Sequence, residues 1–164
     1  HADEIYSNPQ WPSKPLFYVC CPSKTDSTVA PEGHENLFIL MPIAPNLQDT
    51  EALREQYFNL IMDRLEVYCQ QDIISAIDYK KSYCVKDFIS DYNSYKGNAY
   101  GLANTLMQTA NLKPSIKNKK LNNLFYAGQL TVPGPGVPPS IISGNVSANQ
   151  VHKYLTSLVH ERNI

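Results

Sequence analysis

The stretch NLFYAGQLTVPGPGVPPSIISG, residues 123–144, constrains this chain more than any other. It reads as a short apolar strand over 124–127, a glycine and proline elbow over 128–136, and a helix entered through Pro138 and Pro139. Proline suits that entry because its φ is already near the helical value and it lacks an N–H that the first turn would leave unpaired. Gly134 and Gly136 carry no Cβ, so a flat ligand can approach the backbone closely there. The amides of Gly136, Val137 and Ser140 then point outward at the positive end of a helix dipole, which favours an electron-rich or anionic group. An elbow of this kind suits a cofactor; the plainer alternative is a proline-rich turn that starts a surface helix.

Beyond the elbow, the small residues Ser140, Ser143, Gly144, Ser147 and Ala148 allow a close partner along the helix. Ala148, Val151, Leu155 and Leu158 continue an apolar stripe at helical spacing, which predicts one face packed inside a domain.

Residues 124–144 closely resemble the C-terminal flavin motif of the bacterial-type phytoene desaturases, or phytoene dehydrogenases, which are carotenoid desaturases of the flavin amine oxidase superfamily. PLFYV at 15–19, APEG at 30–33 and KGNAYGLANTLMQTA at 96–110 also resemble that family, so the resemblance covers almost the whole chain. It implies an α/β fold, α+β within this chain: a partial FAD-binding Rossmann-like domain plus a mostly antiparallel substrate-side sheet with helices. The implied domains are 1–112, the substrate-side sheet and helices, and 113–164, the strand, elbow and helix of the FAD-binding domain. By the same resemblance the cofactor is FAD, contacted by Gly128, Gln129, Pro135, Gly136, Val137, Pro138 and Ser140. Gln129 stands where many members of the wider superfamily carry an acidic residue. Asn98, Tyr100 and Gly101 fall either near the flavin and the polyene channel or in a structural turn beneath the cofactor. The implied activity is FAD-dependent dehydrogenation of a lipophilic C40 polyene such as phytoene, as an oxidoreductase of carotenoid biosynthesis.

Members of that family are longer and open with a strand, a GxGxxG turn and a helix that hold the ADP half of FAD; no such fingerprint occurs here. The chain also begins at His1 rather than methionine. It is therefore expected to be a C-terminal fragment that does not retain FAD by itself, is inactive alone, and self-associates through apolar surface. Two other readings stand beside this one. The chain is a non-enzymatic folding or interaction module, or it belongs to a flavin oxidoreductase acting on another isoprenoid.

Composition excludes some partners. With 164 residues, 43% hydrophobic and 18% charged, the chain has the make-up of a globular protein, and a net charge of −1 offers no broad attraction for nucleic acid. No apolar run approaches the roughly eighteen residues of a membrane span, and no signal-peptide pattern opens the chain. Cys20, Cys21, Cys69 and Cys84 form no CxxC pair, and the four histidines share no ligand spacing, so no metal site is expected. Reduced cysteines point to the cytoplasm. Lys113, Lys117, Lys119 and Lys120 either solvate a loop or meet an anionic membrane, as peripheral contact at the inner face.

The first fourteen residues read as an extended lead-in with Trp11 as an isolated anchor. Residues 16–21 and 36–44 are strand candidates joined by turn formers, which predicts a long antiparallel hairpin or a meander. From Asp49 the apolar period becomes helical, with Leu53, Tyr57, Leu60, Ile61, Leu65 and Tyr68 on one face and Arg54, Glu55, Asp63 and Glu66 largely opposite. Asp49 or Thr50 caps it. The polar face is mixed in sign, which favours core packing over a membrane surface. A strand over 75–84, a helix over 86–93, a loop over 96–101 and a helix over 102–110 complete the expectation.

Overall fold

A computed structural model describes residues 1–103, 105–109 and 112–162 of the chain, Glu161 and Arg162 by backbone alone. They fall into two compact units, His1–Asn98 and Ala99–Ile164. The resemblance implies a division after Leu112.

In the first unit the lead-in is not fully extended, because α1 (Ala2–Tyr6) forms within it. Asp3 and Glu4 lie in its first turn, where negative charge meets the positive helix end. The chain then folds back, with the Ser13 amide donating to Glu4 Oε1 at 2.9 Å. That hydrogen-bonded carboxyl is held down at about 2. Trp11 is no isolated anchor: its ring stacks on Tyr57 at 4.6 Å and its Nε1 donates to the Gln48 carbonyl at 2.8 Å.

The predicted hairpin is present. Strands β1 (Tyr18–Cys20) and β2 (Phe38–Leu40) pair antiparallel, with Tyr18 opposite Leu40, Val19 opposite Ile39 and Cys20 opposite Phe38. Both are shorter than the apolar runs suggest, because Pro22 and Pro42 have no amide to continue a ladder. Glu35 closes the connecting loop through the Lys24 ammonium and the Ser23 hydroxyl, which hold its carboxyl at about 2.

Helix α2 (Glu51–Cys69) is capped by Thr50, whose hydroxyl accepts from the Leu53 amide at 3.3 Å. It ends where Gln70 turns left-handed at φ 54°. Tyr57, Ile61 and Met62 form its buried face, and burying side chains of that size stabilises by about 2 kcal/mol each. Tyr68 is not part of that face: it is 87% exposed, beyond the end of the buried stretch. Arg54 was expected on the polar side and is instead turned inward, because Asp49 is buried beside it. Arg54 Nε and Nη2 grip the two Asp49 oxygens at 2.7 Å each, and Nη2 also reaches Asp87 Oδ2 at 2.7 Å.

Asp87 lies in α3 (Val85–Tyr92), where it accepts from the Cys84 amide at 2.7 Å. The Lys86 amide donates to Asp49 Oδ2 at 2.8 Å, so one buried carboxylate ties the starts of α2 and α3 together. No strand forms over 75–84. The only named sheet among the described residues is β1 with β2, and side chains of α2 hold this segment instead. Within it Lys80 sits 4.0 Å over the Phe58 ring while pairing with Glu55, and Arg54 Nη1 donates to Ser82 Oγ at 3.2 Å; just before it Glu66 Oε1 accepts the Ile73 and Ile74 amides at 2.7 Å each. The unit closes on Gly97 at φ 67°, where a Cβ would stand 2.5 Å from Val85 Cγ1. Only glycine fits there.

In the second unit the strand predicted over 124–127 shrinks to one antiparallel bridge, Phe125 with Lys117. Flanking bonds complete a tight hairpin: Tyr126 N to Ile116 O at 2.7 Å and Asn118 N to Leu124 O at 3.0 Å. Asn118 Oδ1 accepts the Lys120 and Leu121 amides and so fixes the turn. The helix expected over 102–110 includes Asn104 and Ala110, which lie outside the described residues; within it Leu106–Gln108 makes a single 3-10 turn. After the elbow, α4 (Val137–Arg162) runs 26 residues.

The inward face of α4 is the small-residue one. Ser143 and Ser147 are buried, followed by half-buried Val151, Tyr154 and Leu158. Leu155, expected in the packed stripe, is 53% exposed, because the inward line runs through Val151, Tyr154 and Leu158. Val137, Ile141, Ile142, Val146 and Val159 are exposed with it. No helix of the described residues is long and apolar enough to cross a membrane.

Candidate functional site

The elbow is built from three glycines whose backbone is closed to other residues: Gly128 at φ 103°, Gly134 at φ 133° and Gly136 at φ 113°. Their open sides differ. At Gly134 a Cβ would stand 3.1 Å from Lys113 Cε, so the missing side chain makes room for a lysine stem. At Gly136 it would stand 3.3 Å from Pro139 Cδ, within the first turn of α4. At Gly128 nothing lies within 4 Å. Of the three, only Gly128 has open space at the Cβ position.

Buried hydroxyls hold this backbone in place. Ser143, 0% exposed, accepts the Gly128 amide on its Oγ at 3.0 Å. Thr131, 2% exposed, donates its hydroxyl to the Pro114 carbonyl at 2.6 Å, and its amide donates to the Gly128 carbonyl at 3.3 Å. Each group buried here finds a partner, which spares the cost of about 1–3 kcal/mol that an unpaired one would carry.

The start of α4 offers fewer donors than the sequence leads one to expect. The Ser140 amide donates to the Gly136 carbonyl at 3.0 Å as the first helical hydrogen bond, so it does not point outward. Pro138 and Pro139 have no amide at all. Gly136 and Val137 remain as the two backbone donors at the positive helix end, and both residues are exposed. Gln129 and Pro135 are half-buried, and Pro138 is exposed.

The substrate-side candidates separate. Asn98 is the last residue of the first unit, where its Nδ2 donates to the Tyr95 carbonyl. Tyr100 and Gly101 belong to the second unit, Tyr100 exposed and Gly101 at φ 80°. The bare face of Gly101 lies against Leu130, with Gln129 Cγ close by, so the structure brings Gly101 to the elbow.

Sequence reasoning missed Lys113, Thr131 and the anchoring role of Ser143. Lys113 reads as one of four lysines in a solvated loop, yet it is 7% exposed. Lys117 is exposed, as that reading expects, with its ammonium 5.9 Å over Phe125 and 5.6 Å over Tyr154. The available signal was Gly134 itself, since a glycine outside a helix cap marks a close approach by something. Among the described residues no group of His, Cys, Asp and Glu is placed to hold a metal ion.

These features suit an electron-rich or anionic group. Residues 128–144 carry no ionisable side chain, and two amides at a helix start suit a ring carbonyl edge. Nothing in the elbow has the glycine-rich turn that wraps a pyrophosphate.

The chain belongs to the carotenoid desaturase family. It is 43% identical over 148 residues to the carotenoid 3,4-desaturase of Haloarcula japonica, a match covering 90% of this chain and 30% of that protein. The all-trans-zeta-carotene desaturase of Myxococcus xanthus is 32% identical over 87% of this chain and 26% of its own length. The 4,4'-diaponeurosporene oxygenase of Staphylococcus haemolyticus is 31% identical over 91% of this chain and 30% of its own length. The chain thus spans less than a third of the length of the curated relatives it matches. No family model matches it.

Proposed function

We propose that this chain is part of an FAD-dependent carotenoid desaturase, and that its elbow holds part of the flavin while a lipophilic polyene is dehydrogenated. The observation that carries the reading is the 43% identity, over nine-tenths of this chain, to a protein named as a carotenoid desaturase. Bound FAD supplies the two-electron oxidation that converts a single bond of the polyene to a double bond. The chain's own residues position and shield. Gly128 leaves its side open for the ring system, the amides of Gly136 and Val137 face an electron-rich edge, and Ser143 and Thr131 keep the elbow from shifting. Contact with a membrane, from which a polyene would be drawn, belongs to the same proposal.

The test is to express the desaturase carrying this sequence in a host that accumulates phytoene, then measure flavin in the purified protein and products by chromatography. Yellow protein with new, red-shifted polyenes is the expected outcome; colourless protein with the phytoene untouched would end the reading. A second reading has one observation in its favour. A relative of nearly equal coverage is named as an oxygenase of 4,4'-diaponeurosporene, so oxidation of a carotenoid end group is the alternative on the same scaffold. Oxygenated products in place of longer conjugation would select it.

A further inference from the structure

We propose that the hairpin of residues 116–126, with Lys153 of α4 beside it, is the surface by which the protein docks on an anionic phospholipid bilayer. The proposal deepens the membrane contact stated above and rests on that reading. Charge is shared unevenly along this chain, a pattern that points to an anionic partner for the basic part. The second unit holds six of the fourteen lysines and arginines but one of the fifteen acidic residues, so its side chains carry +5 against −6 in the first unit. Lys117, Lys119, Lys120 and Lys153 are exposed, and none of them forms an ion pair among the described residues.

The hairpin gathers these cations around an apolar tip. Asn118 Oδ1 accepts the Lys120 amide at 2.8 Å and the Leu121 amide at 2.9 Å, which fixes a turn carrying Lys119, Lys120 and the 53% exposed Leu121. Behind the turn, Lys117 and Lys153 line one open cleft of about 300 Å³ together with Phe125 and Tyr154, whose rings lie 5.9 Å apart. Two ammonium groups at one cleft suit the phosphate of a lipid headgroup, while Leu121 is free to enter the acyl boundary. The single sign and the choice of lysine favour a bilayer over an acidic protein. A protein partner would be matched by mixed charges and by the planar fork of arginine, and the hairpin has neither a carboxylate nor an arginine. A fluid layer of headgroups asks only for point charges around an apolar tip.

The experiment sediments the desaturase carrying this sequence with vesicles of phosphatidylcholine alone or mixed with phosphatidylglycerol. Wild type is expected on the anionic vesicles only, and to leave them as salt rises from about 0.1 to about 0.5 M. Each lysine at such a surface contributes about fivefold, so Lys119→Gln with Lys120→Gln should weaken binding about twentyfold. Lys14→Gln with Lys81→Gln removes the same charge from exposed positions of the first unit and should stay within about twofold of wild type. Equal binding to neutral vesicles, a hairpin variant that binds like wild type, or equal losses in the two double variants would each overturn the proposal. Release of wild type by inorganic phosphate at constant ionic strength would also overturn it, in favour of a site for a soluble anion. Products from phytoene are measured beside the sedimentation. Lipid binding without products would end the desaturase reading alone, and products from a protein indifferent to lipid charge would end this proposal alone.

Discussion

At the scale of single residues, the elbow depends on what each glycine makes room for. All three have φ values that an L side chain rarely adopts, so replacement at any of them is strained. Gly134 adds a tight contact with the Lys113 stem, which would have to give by a few tenths of an ångström, while Gly128 faces open space. Gly134→Ala should therefore cost about 1–3 kcal/mol and more than Gly128→Ala, which carries the backbone strain alone. Urea midpoints of the two variants check the order. Ile141→Leu, at an exposed position of conserved volume, should stay within about 0.5 kcal/mol of wild type in the same assay. In the first unit the decisive residue is Arg54. Replacing it with Met strands the buried Asp49 carboxylate, which should cost about 3 kcal/mol, again read from urea unfolding.

At the scale of elements, Asp49 joins two helix starts, and its ionisation governs that joint. The hydrogen-bonded Arg54 guanidinium and the Lys86 amide hold its carboxyl below the usual carboxylate range, against the opposing effect of burial. Because the folded-state value is depressed, the stability it contributes is present above the unfolded value of about 4 and is lost as pH falls through the folded one. Helicity followed by circular dichroism should therefore decline on acidification below about pH 4. Asp49→Asn should flatten that part of the profile while lowering stability at neutral pH. An unchanged acid limb in Asp49→Asn would show that other carboxylates control the joint.

For the whole molecule, the exposed apolar line of α4 and the incomplete cofactor cradle make one expectation together. Val137 is 75% exposed, and Ile141, Ile142, Leu155 and Val159 are exposed along the same helix. Soluble proteins rarely leave large apolar patches unpartnered. The chain purified by itself should self-associate at high concentration and bind a dye that reports exposed apolar surface, as light scattering and fluorescence would show. It should also come through purification without flavin, because the elbow offers two amides and no pyrophosphate site, too little contact to offset the cost of binding. Flavin retained at stoichiometry would show that the elbow suffices by itself.

The sequence by itself determined the elements whose cause is local. Thr50 caps α2 through its own hydroxyl, Asn93 ends α3 in a left-handed turn at φ 51°, and prolines bound the β1 and β2 pairing and open α4. It also placed the elbow, since alternating glycine and proline restrict the backbone whatever surrounds them, and it placed the family, because similarity is carried by residues in order. Only the tertiary structure decided which face of each element is inside. Tyr68 and Leu155 satisfy a helical period yet point outward, whereas Arg54 is turned in by a buried carboxylate that periodicity cannot register. The segment 75–84 has the composition of a strand, but a strand needs a partner edge, and α2 side chains engage its Lys80 and Ser82 instead. The same distinction divides the candidate site. Gly134 was legible as a close approach, but the lysine that makes it lies twenty-one residues earlier, and only folding brings the two together.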